Sequence, residues 1–142
     1  MMYKKSLLVT VSWLSLLIVL LSLTGCLQSG PVPVEIAYRG HPPVRAVLED
    51  VDKLLAKYDQ QVKVTRFDVD TPEGETFLKG KEIADPTVLA IFIDGSMAYQ
   101  QGDAVVEFFS FPVGKGTAMT AAGNWTLEDL DAALALAVDS NK

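Results

Sequence analysis

The stretch that decides the fold is Val88–Ile93, which reads VLAIFI and carries no charge. It follows Asp85–Thr87 (DPT) and precedes Asp94–Gly95, and both flanking segments favour a break or a turn. A short apolar run between such breaks is typical of an internal strand that is buried on both faces. We therefore expect further strands and helices on either side to cover it.

Two alternating strands with a helix after each are predicted upstream of this run. Val34–Tyr38 and Gln61–Val69 alternate between apolar and polar residues, as strands do. Apolar residues between them recur at helical spacing and predict an amphipathic helix that ends near Tyr58. Thr71 is placed to cap a second helix, which Gly74 and Gly80 should keep short or irregular.

The downstream part predicts one more strand and one more helix. Gln101–Asp103 favours a turn, and Ala104–Phe111 is expected to form a strand antiparallel to its predecessor. Phe111–Gly123 is expected to be a long loop, and Thr126–Asp129 (TLED) caps the last helix. The predicted fold is α/β, in the order β-α-β-α-β-β-α. Its mixed four-stranded sheet has the order 2-1-3-4, with helices on both faces.

The N-terminal segment has the features of a secretory signal. Lys4 and Lys5 precede an uncharged, leucine-rich run from Leu7 to Leu23. The run ends at Leu23–Cys26 (LTGC), which resembles the lipobox of bacterial lipoproteins. The resemblance implies cleavage before Cys26 and attachment of diacylglycerol to its sulfur. The alternative is an uncleaved transmembrane anchor, but the run is short for a span of about 20 residues.

The lipobox predicts three parts of the chain: a signal peptide over 1–25, a lipidated cysteine with its tether over 26–33, and a domain over 34–142. The partner implied by the lipid is a membrane, either the cell membrane or the outer membrane. The domain is expected on the extracytoplasmic side. Pro31 and Pro33 favour an extended tether.

Composition excludes several classes of function. The formal net charge is −6, from 12 basic and 18 acidic residues, which disfavours nucleic acid as a partner. Cys26 is the only cysteine, so neither an internal disulfide nor a Cys-x-x-Cys pair can form. His41 is the only histidine, which excludes a metal site made of several histidines.

The order of elements resembles the thioredoxin family, and three local features agree with it. The break between the first strand and first helix lies where that family carries Cys-x-x-Cys. Val64–Asp70 is similar to the family's strand ending in Val-Asp-Val-Asp. Asp85–Thr87, the apolar strand and Asp94–Gly95 resemble the family's cis-proline segment, its next strand and its turn. The resemblance covers about 34–138.

The chain departs from the family at the redox position, which reads His41–Val44 (HPPV) and holds no cysteine. Thiol–disulfide exchange needs a thiolate, so the family's oxidoreductase activity does not carry over. We expect no enzymatic activity and no cofactor. The resemblance implies instead that Asp85, beside a cis Pro86, offers its backbone to an extended peptide in a form of strand addition.

The candidate binding residues are therefore His41, Pro42, Pro43, Asp85 and Pro86. The expected function is that of a lipid-anchored, non-catalytic module that holds an extended segment of a protein or peptide partner. The alternative is a metal-handling protein or an enzyme that uses His41. With Met97 or Met119, His41 would offer ligands that suit copper. A loop histidine without a special role is the simpler interpretation.

Three other groups of residues have structural interpretations beside functional ones. Asp68 and Asp70 supply two carboxylates for acid–base work or Ca²⁺, but capping of the Thr71 helix is favoured. Gly114–Thr117 (GKGT) lacks the spacing of a phosphate-binding loop and fits a tight turn. Core packing is favoured over a groove for the aromatic group Phe108, Phe109, Phe111 and Trp125.

Overall fold

The computed structural model describes residues 30–83, 89–115 and 122–142. The expected succession of elements is confirmed as far as the third strand, and the last helix also lies where the sequence predicts it. In chain order the elements are β1 (Val32–Tyr38), α1 (Pro42–Leu55), a 3-10 turn (Asp59–Gln61), β2 (Val62–Asp68), α2 (Pro72–Gly80), β3 (Leu89–Ile93), β4 (Ala98–Gln101), β5 (Ala104–Glu107) and α3 (Leu127–Ser140).

Strand β1 lies in the middle of a three-stranded sheet with the order β2-β1-β3. It runs parallel to β2, with Val34 opposite Val64, and antiparallel to β3, with Ile36 opposite Ile91. Parallel neighbours need a crossover connection, which α1 provides between β1 and β2. The sheet is therefore mixed, and the 2-1-3 part of the predicted order is confirmed.

The face of the sheet beneath α1 and α3 carries the main hydrophobic core. Val34 and Ile36 of β1 are fully buried there, together with Val51 of α1 and Leu134 of α3. The helical spacing of the apolar residues in α1 brings them all to this one side. At the start of α3, Thr126 Oγ1 accepts a hydrogen bond from the Asp129 amide at 3.1 Å, and the Asp129 carboxylate accepts one from the Thr126 amide at 2.8 Å. The predicted cap is confirmed.

The opposite face carries a smaller core beneath α2. Ala37 and Phe92 from the sheet pack there with Val69 and with Leu78 of α2. Because neighbouring residues of a strand point to opposite faces, Ile36 and Ala37 belong to different cores. Helices thus cover both faces of the sheet, as predicted.

The predicted fourth strand differs from the structure. Strand β5 ends at Glu107 instead of Phe111, and it pairs with β4 in a separate two-stranded sheet. Beyond it, an isolated antiparallel bridge joins Phe109 to Ala90 of β3. Strand β4 was missed because Ala98–Gln101 is short and polar, although the turns on either side of it were predicted.

The β4 ladder stops at Phe108, whose amide still donates to the Met97 carbonyl at 3.0 Å, because the Phe108 carbonyl accepts from the Ile91 amide of β3 instead. The Glu107 amide donates to the side-chain oxygen of Asn124, and Ser110 takes a positive φ of 62°. The Trp125 indole nitrogen donates to the Phe109 carbonyl at 3.1 Å. These contacts fix the chain between β5 and α3 around Trp125, whose side chain is fully buried.

The chain enters the sheet earlier than expected. Strand β1 begins at Val32, so Pro33, which was predicted to belong to the tether, is part of the strand. The Pro33 carbonyl accepts a hydrogen bond from the Asp94 amide at 2.9 Å, and the Gly30 carbonyl accepts one from the Asn141 side chain at 2.5 Å. Residues 30–33 are thereby fixed to β3 and to the end of α3.

Candidate functional site

The His41–Pro43 turn lies between β1 and α1, at the carboxyl end of β1. His41 is the N-cap residue of α1: its backbone is extended and its carbonyl accepts from the Val44 amide at 3.0 Å. Its side chain is exposed and makes no capping hydrogen bond. Pro42 and Pro43 are exposed in the first helical turn. Backbone N–H groups in this turn have no partner within the helix, so proline, which lacks one, costs no hydrogen bond there. The turn therefore presents an imidazole and two proline rings to solvent.

An ion pair joins this loop to the one that follows β2. Arg39 Nε lies 3.1 Å from Asp70 Oδ1, and the guanidinium is the more buried partner. Asp68 has a separate role, because its Oδ1 accepts a hydrogen bond from the Asp70 amide at 3.0 Å and so orders the turn. The two carboxylates thus hold the turn and the ion pair, while the cap of α2 comes from Thr71.

Helix α2 begins very close to the end of β2. Thr71 Oγ1 accepts from the Gly74 amide at 3.2 Å and donates to the Asp68 carbonyl at 2.7 Å. A Cβ atom on Gly74 would clash with the backbone of Asp68 and Val69. Gly74, which the sequence suggested only as a weak point of the helix, is the residue that permits this close approach. Helix α2 is short, as predicted, and ends at Gly80.

A cavity of about 410 Å³ opens beside the Arg39–Asp70 ion pair. Its apolar lining comes from Val69, Leu78 and Ile83, and its charged lining comes from both loops and from α2. The charged residues are Arg39, Asp70, Glu75 and Lys79. Glu75 and Lys79 form a second ion pair, one helical turn apart, with 3.7 Å between Lys79 Nζ and Glu75 Oε2. Sequence reasoning missed this cavity, because its residues come from four separate parts of the chain.

The cavity lies at the carboxyl ends of the two parallel strands. Strands β1 and β2 are parallel neighbours, and the helices that follow them cover opposite faces of the sheet. Arg39 follows β1 and Asp70 follows β2, so each strand is followed by a charged residue that lines the cavity.

A second group of charges lies on the same face of the sheet. Lys81 Nζ is 2.6 Å from Glu35 Oε2 and 4.6 Å from the centre of the Phe92 ring. Phe77 stacks on Phe67, with 3.9 Å between ring centres. About a quarter of the Lys81 and Glu35 side chains is exposed, so the pair is partly shielded from water. This face therefore combines charge with aromatic surface, whereas the α1 and α3 face is apolar.

Two clusters on the α1 and α3 side have shifted pKa values. The Tyr58 hydroxyl donates to Asp131 Oδ1 at 2.6 Å. Burial, and then this hydrogen bond, raise the pKa of Tyr58, while the same hydrogen bond lowers the pKa of Asp131. Hydrogen bonds from Lys53 and Lys115 lower the pKa of Asp50. The first cluster fastens the segment after α1 to α3, and the second fastens α1 to the loop that carries Lys115.

The aromatic group is mostly core, as the sequence favoured. Phe108, Phe111 and Trp125 are each at most 1% exposed, and Phe109 packs against the α2 core. Of the glycine-rich segment, Gly114 has a positive φ and Lys115 pairs with Asp50, while Gly116 and Thr117 lie outside the described residues. Phe108 also lines a cavity of about 460 Å³ together with residues of β1, β4 and α3.

Several predicted residues lie outside the described ranges, namely Cys26, Asp85, Pro86 and Met119. Met97 packs half-buried against the α2 core. Within residues 30–83, 89–115 and 122–142, no three or more histidine, cysteine or acidic side chains are grouped closely enough to hold a metal ion. In the same ranges, no helix has both the length and the apolarity needed to cross a membrane.

A scan against protein-family models finds no matching family, and searches of curated proteins and of solved structures find no match either. The structure thus defines a class of fold: a mixed α/β protein with a three-stranded sheet, a two-stranded hairpin and a charged crevice at the carboxyl ends of its parallel strands.

Proposed function

We propose that this chain is a lipid-anchored, non-catalytic binding module with a thioredoxin-like fold, which holds an extended segment of a protein partner outside the cytoplasm. The observation that carries the proposal is the carboxyl edge of β1 and β2. There an exposed His-Pro-Pro turn stands beside a charged crevice, and no thiol is present after Cys26. Asp85 and Pro86 would complete the docking surface.

The strand arrangement supports the thioredoxin-like part of the proposal. A central β1 that is parallel to β2 and antiparallel to β3 is the start of the 2-1-3-4 order. The Phe108–Ser110 segment would be a rudimentary fourth strand. The Ile91 amide donates to the Phe108 carbonyl at 2.9 Å, and the Ser110 amide donates to the Leu89 carbonyl at 2.8 Å. Slow amide exchange at Ile91 and Ser110 is expected, and fast exchange at both would contradict this part.

The geometry of β1 gives the proposed module an orientation. The tether would enter at Gly30, and only residues 27–29 separate it from Cys26, so it reaches at most about 14 Å. Strand β1 then carries the chain roughly 20 Å, from Val32 to Tyr38, before the His41–Pro43 turn begins. The docking edge would therefore face away from the membrane, where a partner can reach it.

Two variants of the full-length chain test the proposal. Cys26→Ser should leave an uncleaved precursor without acyl label, whereas a cleaved and labelled product would refute the lipid anchor. His41→Ala should weaken partner binding. It should leave metal uptake and any enzymatic activity unchanged. If metal uptake or an activity is lost with His41→Ala instead, the chain is a metal-handling protein or an enzyme.

A further inference from the structure

We propose that the crevice lined by Arg39, Asp70, Glu75 and Lys79 binds a zwitterionic α-amino acid that has an apolar side chain. This function would be additional to partner docking and does not depend on the lipid anchor. The crevice has the size of a small-molecule site, because its volume of about 410 Å³ lies within the usual range of about 300–1,000 Å³.

The floor of the crevice is suited to an apolar side chain. Val69 and Leu78 are 4% and 7% exposed, and Ile83 is half-buried beside them. Since Val69 and Leu78 are already buried, an aliphatic or aromatic ligand group in the crevice removes mainly the exposed surface of Ile83 and its own surface from water, which favours binding. The same floor offers no hydrogen-bonding side chain to a polar ligand group.

The rim of the crevice carries both signs of charge in equal number. Arg39 and Lys79 are suited to a carboxylate, while Asp70 and Glu75 are suited to an ammonium group. A ligand with only one of these groups meets attraction from two rim residues and repulsion from the other two. An α-amino acid places a carboxylate and an ammonium on one carbon and can engage both signs at once.

The existing ion pairs do not prevent such binding. In the Arg39–Asp70 pair the two side chains are 25% and 56% exposed. Glu75 and Lys79 are 63% and 79% exposed, and such exposed ion pairs contribute little to stability. Exchanging a rim partner for a ligand group therefore costs the protein little.

A matched ligand series tests the proposal by calorimetric titration of the full-length chain in detergent micelles. The ligands are L-leucine, 4-methylpentanoate without the ammonium, 3-methylbutylamine without the carboxylate, and N-acetyl-L-leucinamide with neither charge. L-leucine should bind at least about tenfold more tightly than each of the other three, since a charged hydrogen bond is lost with either group.

Variants locate the binding. Lys79→Gln should weaken L-leucine binding, whereas Lys53→Gln, which removes an equally exposed helical lysine of α1, should leave it unchanged. Ile83→Ala should weaken binding of L-leucine but not of glycine. Failure to detect binding, or equal effects of Lys79→Gln and Lys53→Gln, would overturn the proposal. Equal affinity for N-acetyl-L-leucinamide would also overturn it and would assign the crevice to an uncharged peptide segment of the partner.

Discussion

The two faces of the sheet are built differently. Beneath α1 and α3, the core is wide, and Val34, Ile36, Leu130 and Leu134 are completely buried. Beneath α2, a helix of nine residues covers a smaller apolar cluster, with a partly buried Lys81–Glu35 pair and an open crevice beside it. The comparison indicates that the α1 and α3 face supplies most of the stability, while room for a ligand exists on both sides, since a cavity of about 460 Å³ opens along α3.

The largest expected effect follows from the wide face. Leu134→Ala should lower the free energy of unfolding by about 2–5 kcal/mol, because it removes a fully buried side chain and leaves a cavity. The control is Leu136→Ala on the same helix, where the side chain is 56% exposed and the change should stay within about 0.5 kcal/mol. Denaturant unfolding measures both, and similar effects of the two variants would contradict the assignment of the main core.

Substitutions of Gly74 and Gly80 test the packing of α2, because they should change the free energy of unfolding in opposite directions. Gly74→Ala should destabilise by about 1–3 kcal/mol, because its Cβ meets the Asp68 and Val69 backbone. Gly80→Ala has open space around it and should stabilise by about 0.4–1 kcal/mol, since the unfolded chain loses freedom. Thermal unfolding of both variants, compared with the unchanged chain, measures the two effects. If Gly74→Ala were stabilising, helix α2 would not lie against the end of β2.

A smaller effect is expected from acid. The pKa of Asp131 is lowered by the Tyr58 hydrogen bond, so its contribution is present above the unfolded value near 3.8 and is lost as the pH falls below it. Asp50 behaves in the same way because of Lys53 and Lys115. Stability should therefore fall below about pH 4. Asp131→Asn should make this loss of stability at low pH smaller. An unchanged dependence of stability on pH would show that the pKa of Asp131 is the same in the folded and unfolded chain.

Local patterns predicted the elements that build the wide face. The helical spacing of α1, the Thr126–Asp129 cap of α3 and the alternation of β1 and β2 are each visible within a few residues. Helix α2 was also predictable, because Thr71 and Pro72 mark its start. Such elements depend on neighbours in sequence, so a single chain is sufficient to predict them.

The end of β5 and the crevice could not be predicted in this way, because they depend on contacts between residues that are distant in the sequence. The end of β5 depends on Ile91, whose amide donates to the Phe108 carbonyl, and on Trp125, whose indole donates to the Phe109 carbonyl, and no pattern within Ala104–Phe111 signals either contact. The crevice joins Arg39, Asp70 and Lys79 from three elements, so spacing along the chain does not reveal it. The sequence did point to this edge of the sheet through His41–Pro43, but it did not show the charges beside that turn.

We propose above that the carboxyl edge of β1 and β2 is a docking edge that faces away from a lipid anchor. A photo-crosslinking residue placed at Pro43, and in a second variant at Asp139, tests it most directly in intact cells. Both positions are exposed, and Asp139 lies at the end of α3 near Gly30. Protein adducts and no lipid adducts are expected from position 43, and lipid adducts are expected from position 139. Lipid adducts from position 43, or protein adducts from position 139 alone, would contradict it.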